Sequence, residues 1–220
     1  MTFVPTHEQQ EIITYPKRHV RVAAGAGTGK TTTIVERLRA FVEGGTSPTR
    51  ALGITFTVKA ADELRNRLRD RLTSTMDSEE VEVSTYHGFA TSILDEFGAL
   101  VGYEPSSLLL DDGHRSELGQ LVLRTTPTNL DLTAMNARIG DLLDLSEALD
   151  RHLLSPQQLI EDAPAHGDDQ IMETWAKRID LAAVAAAYRS EKERLGLIEF
   201  SDLITKAVKL VTAYPEIGEE

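Results

Sequence analysis

Hydrophobic and polar positions change period repeatedly along the first hundred residues. Val20, Val22, Ala23 and Ala24 form a short apolar run, and comparable runs recur over about 51–56 and 81–85. Each is short, rich in β-branched or apolar residues and bounded by turn formers, so strands are predicted at about 19–24, 51–56 and 81–85. Around them the period lengthens to that of a helix, over about 7–15, 31–43, 58–72 and 86–97. Gly44-Gly45 closes the second helix and Ser47-Pro48 marks the loop after it. Strands alternating with helices predict an α/β fold, a parallel sheet with helices on both faces.

From about residue 99 the strand signals vanish and acidic, Leu- and Ala-rich helical patterns take over. Leu118, Leu121 and Val122, then Leu142, Leu143 and Leu149, recur at helical offsets without β-type alternation. Helices are expected near 111–125, 133–150, 155–162 and 169–195, the third opened by Ser155 as N-cap with Pro156 at the first helical position. A last helix over about 200–213 starts at Phe200-Ser201-Asp202. The second half therefore reads as an all-helical subdomain inserted beside the α/β part, with residues 199–213 returning to pack Phe200 and Leu203 against it.

Composition narrows the class. The chain has 220 residues, enough for one or two domains with a real core, and no cysteine, which excludes disulfides and thiolate metal sites. No apolar run is long enough to cross a membrane, and the first residues lack a basic and apolar leader, so a cytoplasmic location with no membrane partner is expected. Nearly all of the net charge of −12 falls after residue 98. That argues against a protein that wraps nucleic acid through general basicity, although a local groove stays open.

Residues 24–31 read Ala-Gly-Ala-Gly-Thr-Gly-Lys-Thr, between a predicted strand and a predicted helix. Gly25, Gly27 and Gly29 allow backbone N–H groups to turn inward and approach phosphate oxygens, and the helix start behind them adds partial positive charge. Ala24, Ala26, Thr28 and Thr32 complete the candidate nucleotide-binding set. Lys30 is placed to reach the β- and γ-phosphates, and the Thr31 hydroxyl to bind Mg²⁺. The usual G-x-x-x-x-G-K-T pattern has Gly where this chain has Ala24.

Three further segments separate this loop from those of kinases and GTPases. Thr6-His7-Glu8-Gln9-Gln10 opens a helix upstream, and a primary amide at Gln9 can pair with both the donor and the acceptor edge of adenine, selecting ATP. Ile54-Thr55-Phe56-Thr57-Val58-Lys59-Ala60-Ala61 and Ser84-Thr85-Tyr86-His87-Gly88-Phe89 each follow a strand, where ligand crevices of such sheets lie. Phe56 suits either stacking on a base or core packing, Thr57 suits holding a phosphate, and Thr85 and His87 lie at the next strand end. His87 has no partner at metal-ligand spacing, leaving a hydrogen bond to DNA or polar packing. Arg65, Arg67, Arg69 and Arg71, spaced by two on a helix, read as a solvated face rather than a groove. Trp175 reads as a packing residue. Leu108-Leu109-Leu110-Asp111-Asp112 reads as a helix entry with an N-cap rather than a strand ending in a magnesium ligand.

At these segments the chain resembles the UvrD/Rep/PcrA family of superfamily 1 DNA helicases. AGAGTGKT, ITFTVKAADEL and STYHGFA resemble its motifs I, Ia and Ib in order, Gln9 its adenine-reading glutamine, and Ile198-Glu199-Phe200-Ser201-Asp202-Leu203 the segment that re-enters the first motor domain. Pro5-Thr6 and Val58 depart from the family's usual Leu-Asn and Asn. The resemblance implies that residues 1–98 and about 196–220 belong to motor domain 1A and 99–195 to an inserted domain 1B. It also implies ATP with Mg²⁺, single-stranded or partly duplex DNA as partner, 3′→5′ movement in repair or recombination, and a second motor domain in the full protein. The family's Asp-Glu-x-Gln-Asp segment, which supplies the Mg²⁺-binding Asp and catalytic Glu, is not found in these 220 residues, so the chain alone is expected not to hydrolyse ATP. The alternative is a non-catalytic nucleotide- or DNA-binding module. A small-molecule kinase ranks lower, because it lacks the segments around Phe56 and His87.

Overall fold

The computed structural model describes residues 4–16, 19–72, 80–164 and 166–218. In chain order the elements are α1 (His7–Thr14), α2 (Lys30–Glu43), β1 (Leu52–Thr55), α3 (Val58–Leu72), β2 (Glu82–Thr85), α4 (Tyr86–Phe97), β3 (Leu108–Leu109), α5 (Asp112–Thr125), α6 (Met135–Arg151), α7 (Pro156–Glu161), α8 (Asp169–Leu195), β4 (Leu197–Ile198) and α9 (Phe200–Ala213). The protein is mixed α/β, mostly helical, with small parallel sheets. Packing divides it into two units, residues 1–89 and 90–220, the boundary falling inside α4.

In the first unit β1 and β2 pair in parallel, with Thr55 opposite Thr85 at their C-terminal ends. Val35 from α2, Ala61, Leu64, Leu68 and Leu72 from α3, and Val83 from β2 share one core. The four α3 residues recur at three- and four-residue steps, which makes one buried stripe on an otherwise charged helix. The strand expected over 19–24 is not formed. Residues 19–25 carry no strand assignment, Val20 and Val22 are exposed, and among the described residues β1 pairs only with β2. A strand exists only where a neighbour takes its N–H and C=O groups, and no apolar run by itself supplies one. Among the described residues the broad sheet expected from the sequence is therefore represented by the single β1–β2 ladder.

The second unit is built as its helix signals foretell. Ser155 and Gln158 form a reciprocal capping box behind Pro156, and Asp168 caps α8 through Ile171 N–H. Gly196 ends α8 in the left-handed region at φ 65°, with Lys192 and Arg194 in the last turn. Leu118, Val122 and Leu123 of α5, Ile139, Leu142 and Leu149 of α6, and Val184, Ala185 and Tyr188 of α8 make its larger core. A second core packs Leu203, Ala207 and Leu210 of α9 against Ala90 and Leu94 of α4 and Tyr103. Trp175 is half-buried, with the Arg178 guanidinium 5.3 Å from its ring centre.

Two expectations here need correction. Strands do occur after residue 99: β3 and β4 pair in parallel, Leu108 with Leu197 and Leu109 with Ile198. Two residues are too few to show alternation, so the pairing is invisible to a periodicity argument. Asp111 follows β3 as the N-cap of α5, its Oδ1 accepting from His114 N–H at 2.8 Å, which is the capping role read from the sequence. Phe200, expected to pack inward, is 58 % exposed at the start of α9. The inward stripe begins three residues later, at Leu203, while Asp202 closes the capping box with Glu199.

α5, α6, α8 and α9 also meet at a buried polar cluster. Glu199 Oε1 accepts from the Tyr188 hydroxyl at 2.7 Å and from Arg115 Nε at 2.7 Å, and its Oε2 from Lys192 Nζ at 2.8 Å. Lys192 also donates to Asp202, and Asp150 accepts from Arg189 at 2.7 Å and Ser201 at 3.1 Å. Burial pushes the Glu199 carboxyl up, but the Lys192 ammonium and the hydrogen bonds from Lys192, Tyr188 and Arg115 outweigh it and hold the group below the usual carboxylate range. Burial, reinforced by the Asp202 charge, raises Asp150 despite Arg189, Lys192 and Ser201.

Candidate functional site

The phosphate-loop candidate lies between α1 and α2. Gly27 and Gly29 take φ of 77° and 82°, where a Cβ is strained. Gly29 is the N-cap of α2 and supplies no side-chain cap. The first-turn N–H groups of a fourteen-residue helix thus face the loop with no capping side chain, the arrangement that accepts an anion. Lys30 Nζ folds back on the same loop, donating to Ala24 O at 3.0 Å and Gly25 O at 2.6 Å. Thr28 Oγ1 closes the turn onto Gly25 O at 2.9 Å, and the Cβ of Ala26 lies in the same exposed turn.

Gln9 belongs to this constellation by contact as well as by motif. Its Oε1 accepts from Thr6 N–H at 2.9 Å, completing a capping box, while Nε2 donates to Thr28 O at 2.9 Å. Oxygen and nitrogen each make one bond, tying α1 to the loop and leaving a second lone pair and a second N–H for a ligand. The end of α1 is held by Arg37 of α2, which donates to Ile12 O and, at 3.1 Å, to Tyr15 O, and whose guanidinium lies 4.6 Å from the Phe41 ring centre. The sequence offered no signal for Arg37, because one arginine on a helix is indistinguishable from a solvated one. A cavity of about 620 Å³ opens beside the loop, lined by Thr6, Gln9, Ile12, Ala24, Thr28 and Lys30 among others. That volume suits a small-molecule ligand.

The two threonines after Lys30 point to different places. Thr31 lines a groove of about 280 Å³ that runs over Ile34 and Leu38 to Ile54 and Thr55. Thr32 lines a separate groove with Glu36, Arg67 and Arg71. Among the described residues no group of three His, Asp or Glu side chains is placed to hold a metal ion.

Phe56, Thr57, Thr85 and His87 come together at the C-terminal ends of β1 and β2. Thr57 Oγ1 caps α3 by accepting from Ala60 N–H at 3.1 Å, and Thr85 Oγ1 caps α4 by accepting from Gly88 N–H at 3.0 Å. His87 is half-buried in the first turn of α4. Phe56 is 89 % exposed and meets Tyr86, 48 % exposed, with ring centres 5.2 Å apart and planes tilted by 50°. Tyr86 is a candidate the sequence argument passed over; its place one residue after a strand end, like that of Phe56, was the available signal. A Cβ at Gly88 would stand 2.6 Å from Ser84 Oγ, so the Ser84 hydroxyl would have to turn away. Of the arginine row, Arg65 donates to Val83 O at 2.7 Å, Arg69 pairs with Glu80 at 3.1 Å and Arg71 lies 3.7 Å from Glu36. The row therefore stitches α3 to its surroundings and is only partly a solvated face.

Comparison with known proteins gives a consistent result. A family model described as the UvrD/REP helicase N-terminal domain matches residues 5–220. The chain is 28 % identical over 212 residues to an ATP-dependent DNA helicase PcrA of Leuconostoc citreum, covering 96 % of this chain and 26 % of that protein. It is 29 % identical over 220 residues to an ATP-dependent DNA helicase UvrD2 of Mycobacterium bovis, covering 97 % of this chain and 30 % of the relative. A PcrA of Staphylococcus aureus is 26 % identical over 215 residues, 96 % of this chain and 27 % of its own length. The chain thus spans between a quarter and a third of the curated relatives it matches.

Proposed function

The chain belongs to the UvrD/REP helicase N-terminal domain family, and from that membership and its loop geometry we propose that it is the ATP- and single-stranded-DNA-binding N-terminal part of an ATP-dependent 3′→5′ DNA helicase of repair or recombination. The observation that carries the nucleotide site is the uncapped start of α2 behind two left-handed glycines, with Lys30 poised on the loop. ATP with Mg²⁺, when bound, supplies the free energy of phosphoryl transfer. Lys30 exchanges the carbonyls of Ala24 and Gly25 for phosphate oxygens, and the N–H groups of Gly27 to Thr32 receive the rest. Thr31, which lines the neighbouring groove in this structure, would turn its hydroxyl to Mg²⁺. Gln9, already bound to the loop through Thr28 O, presents its amide to adenine from α1. Phe56 and Tyr86 take bases by stacking, and Thr57, Thr85 and His87 contact the sugar–phosphate backbone beside them.

The proposal includes domain 1A over 1–98 and 196–220 with 99–195 as its insertion; packing of α9 on α4 supports that return. It also includes a second motor domain in the whole protein. The chain alone should bind ATP weakly and turn it over too slowly to be stimulated by DNA, because it holds no Asp-Glu-x-Gln-Asp segment and an arginine finger is worth about 10³–10⁵ in rate. Calorimetry with ATP and a phosphate-release assay with single-stranded DNA test this. Weak binding lost in Lys30→Ala, without DNA-stimulated release, is expected. Robust turnover abolished by Lys30→Ala would overturn the half-motor assignment, and ATP binding indifferent to that change would place the nucleotide elsewhere.

A further inference from the structure

A groove of about 290 Å³ between α2 and α3, away from the phosphate-loop cavity, is lined by Thr32, Val35, Glu36, Arg67, Asp70 and Arg71. Glu36 is 4 % exposed. Its Oε2 accepts from Arg39 Nε at 2.9 Å, and Arg39 is shared with Glu43. Its Oε1 is buried and has no hydrogen-bond partner among the described residues, with Arg71 Nε 3.7 Å away as a charge but not as a donor. Such an acceptor is costly to leave unmade. A carboxylate oxygen can only accept, so a guest must bring a donor to it; Arg67 and Arg71 can only donate, so the same guest must bring acceptors to them. Asp70 at the rim carries an interaction of its own.

We propose that this groove is an inorganic-phosphate site that selects the protonated oxyanion: a P–OH donates to Glu36 Oε1 while the remaining oxygens accept from Arg67, Arg71 and the Thr32 hydroxyl. Inorganic phosphate at neutral pH retains at least one P–OH. Sulfate and the phosphodiesters of DNA retain none, and either would set an oxygen against a buried carboxylate. The site is independent of whether the loop takes ATP, and it accounts for Thr32 facing away from the loop cavity.

Calorimetric titration of the Lys30→Ala chain, in which the loop is weakened, with sodium phosphate and separately with sodium sulfate tests the proposal. Phosphate is expected to bind at least about tenfold more tightly than sulfate, since one unsatisfied acceptor is worth that much. In Glu36→Gln the amide can donate to either anion, so the preference collapses. Arg67→Ala, at an exposed position, should weaken phosphate about tenfold with an unchanged melting temperature. Equal binding of the two anions, phosphate binding untouched by Arg67→Ala, or no phosphate binding would each overturn it. If Glu36→Gln does not fold, the anion preference and Arg67→Ala decide.

Discussion

Removal of the Phe56 ring separates a binding role from a structural one, because the ring is almost entirely outside the fold. At 89 % exposure, Phe56→Ala forfeits no core burial. What it loses within the protein is the tilted contact with Tyr86, worth about 0.5–1.5 kcal/mol for an aromatic pair. In a 220-residue chain that lowers the melting temperature by about 6 °C at most. A base stacked on an aromatic side chain contributes about 1–3 kcal/mol, so loss of the ring should weaken single-stranded DNA binding by about 5- to 150-fold. Fluorescence anisotropy with a short labelled oligothymidylate at low salt is the assay, since phosphate contacts and with them the whole signal fade as salt rises. Tyr86→Phe should bind normally, and Tyr86→Ala should lose binding. The Phe56→Ala/Tyr86→Ala pair should lose less than the two single effects combined, because the two rings serve one platform. DNA binding within twofold of the parent for Phe56→Ala, or a melting temperature lower by 10 °C or more (an estimate well beyond the stated scale), would refute the platform.

Two other outcomes follow from contacts already described. Gln9→Ala removes the acceptor for Thr6 N–H and the donor to Thr28 O; ATP affinity by calorimetry should fall about tenfold or more, whereas Gln9→Glu, which keeps the cap, should recover the stability of α1 without the affinity. The Glu199 carboxyl is depressed in the folded protein, so its stabilisation is complete above the unfolded value of about 4.3 and is lost as pH falls through the lower folded value. Asp150, raised by burial, has the opposite sign: it favours the folded state as pH falls through its raised value. Acid unfolding followed by circular dichroism should steepen below about pH 4, and Tyr188→Phe, which removes one donor to Glu199, should move that limb to higher pH.

Helices were legible because their signals are local. Thr6, Asp111, Ser155 and Asp168 each accept from a backbone N–H three residues on, and such caps can be read within a four-residue window. Strands were legible only where two apolar runs happened to lie side by side: 52–55 and 82–85 found each other, while the run at 20–24 found no partner among the described residues. The glycine turn of the candidate phosphate loop was legible because glycine spacing encodes backbone conformation directly, and Gly27 and Gly29 do take positive φ. What was illegible depends on distant pairing. Arg37 on Ile12 O, Arg65 on Val83 O and Glu199 among Tyr188, Arg115 and Lys192 all join residues whose sequence neighbours give no hint of the partner.

The proposed nucleotide and DNA sites are wired differently to the rest of the first unit. Lys30 holds the carbonyls of Ala24 and Gly25, Gln9 holds Thr28 O, and Arg37 holds the end of α1. A phosphate that draws Lys30 away therefore loosens the loop first, and any change in the Thr28 carbonyl is felt next by α1 through one hydrogen bond. Phe56 instead sits between β1 and the Thr57 cap of α3, and Tyr86 in the first turn of α4 behind the Thr85 cap, on strands paired through Thr55 and Thr85. None of those bonds includes a loop residue. A groove from Thr31 to Thr55 runs from the start of α2 to the end of β1, lined by Ile34, Leu38, Leu52, Ile54 and Leu64 together with the polar Arg37 and Glu63. On the proposed function, nucleotide binding in this chain should thus reorder α1 more than the aromatic platform. Coupling of ATP to DNA then falls to whatever fills that groove in the whole protein, since a coupling free energy requires an element whose arrangement both ligands bias.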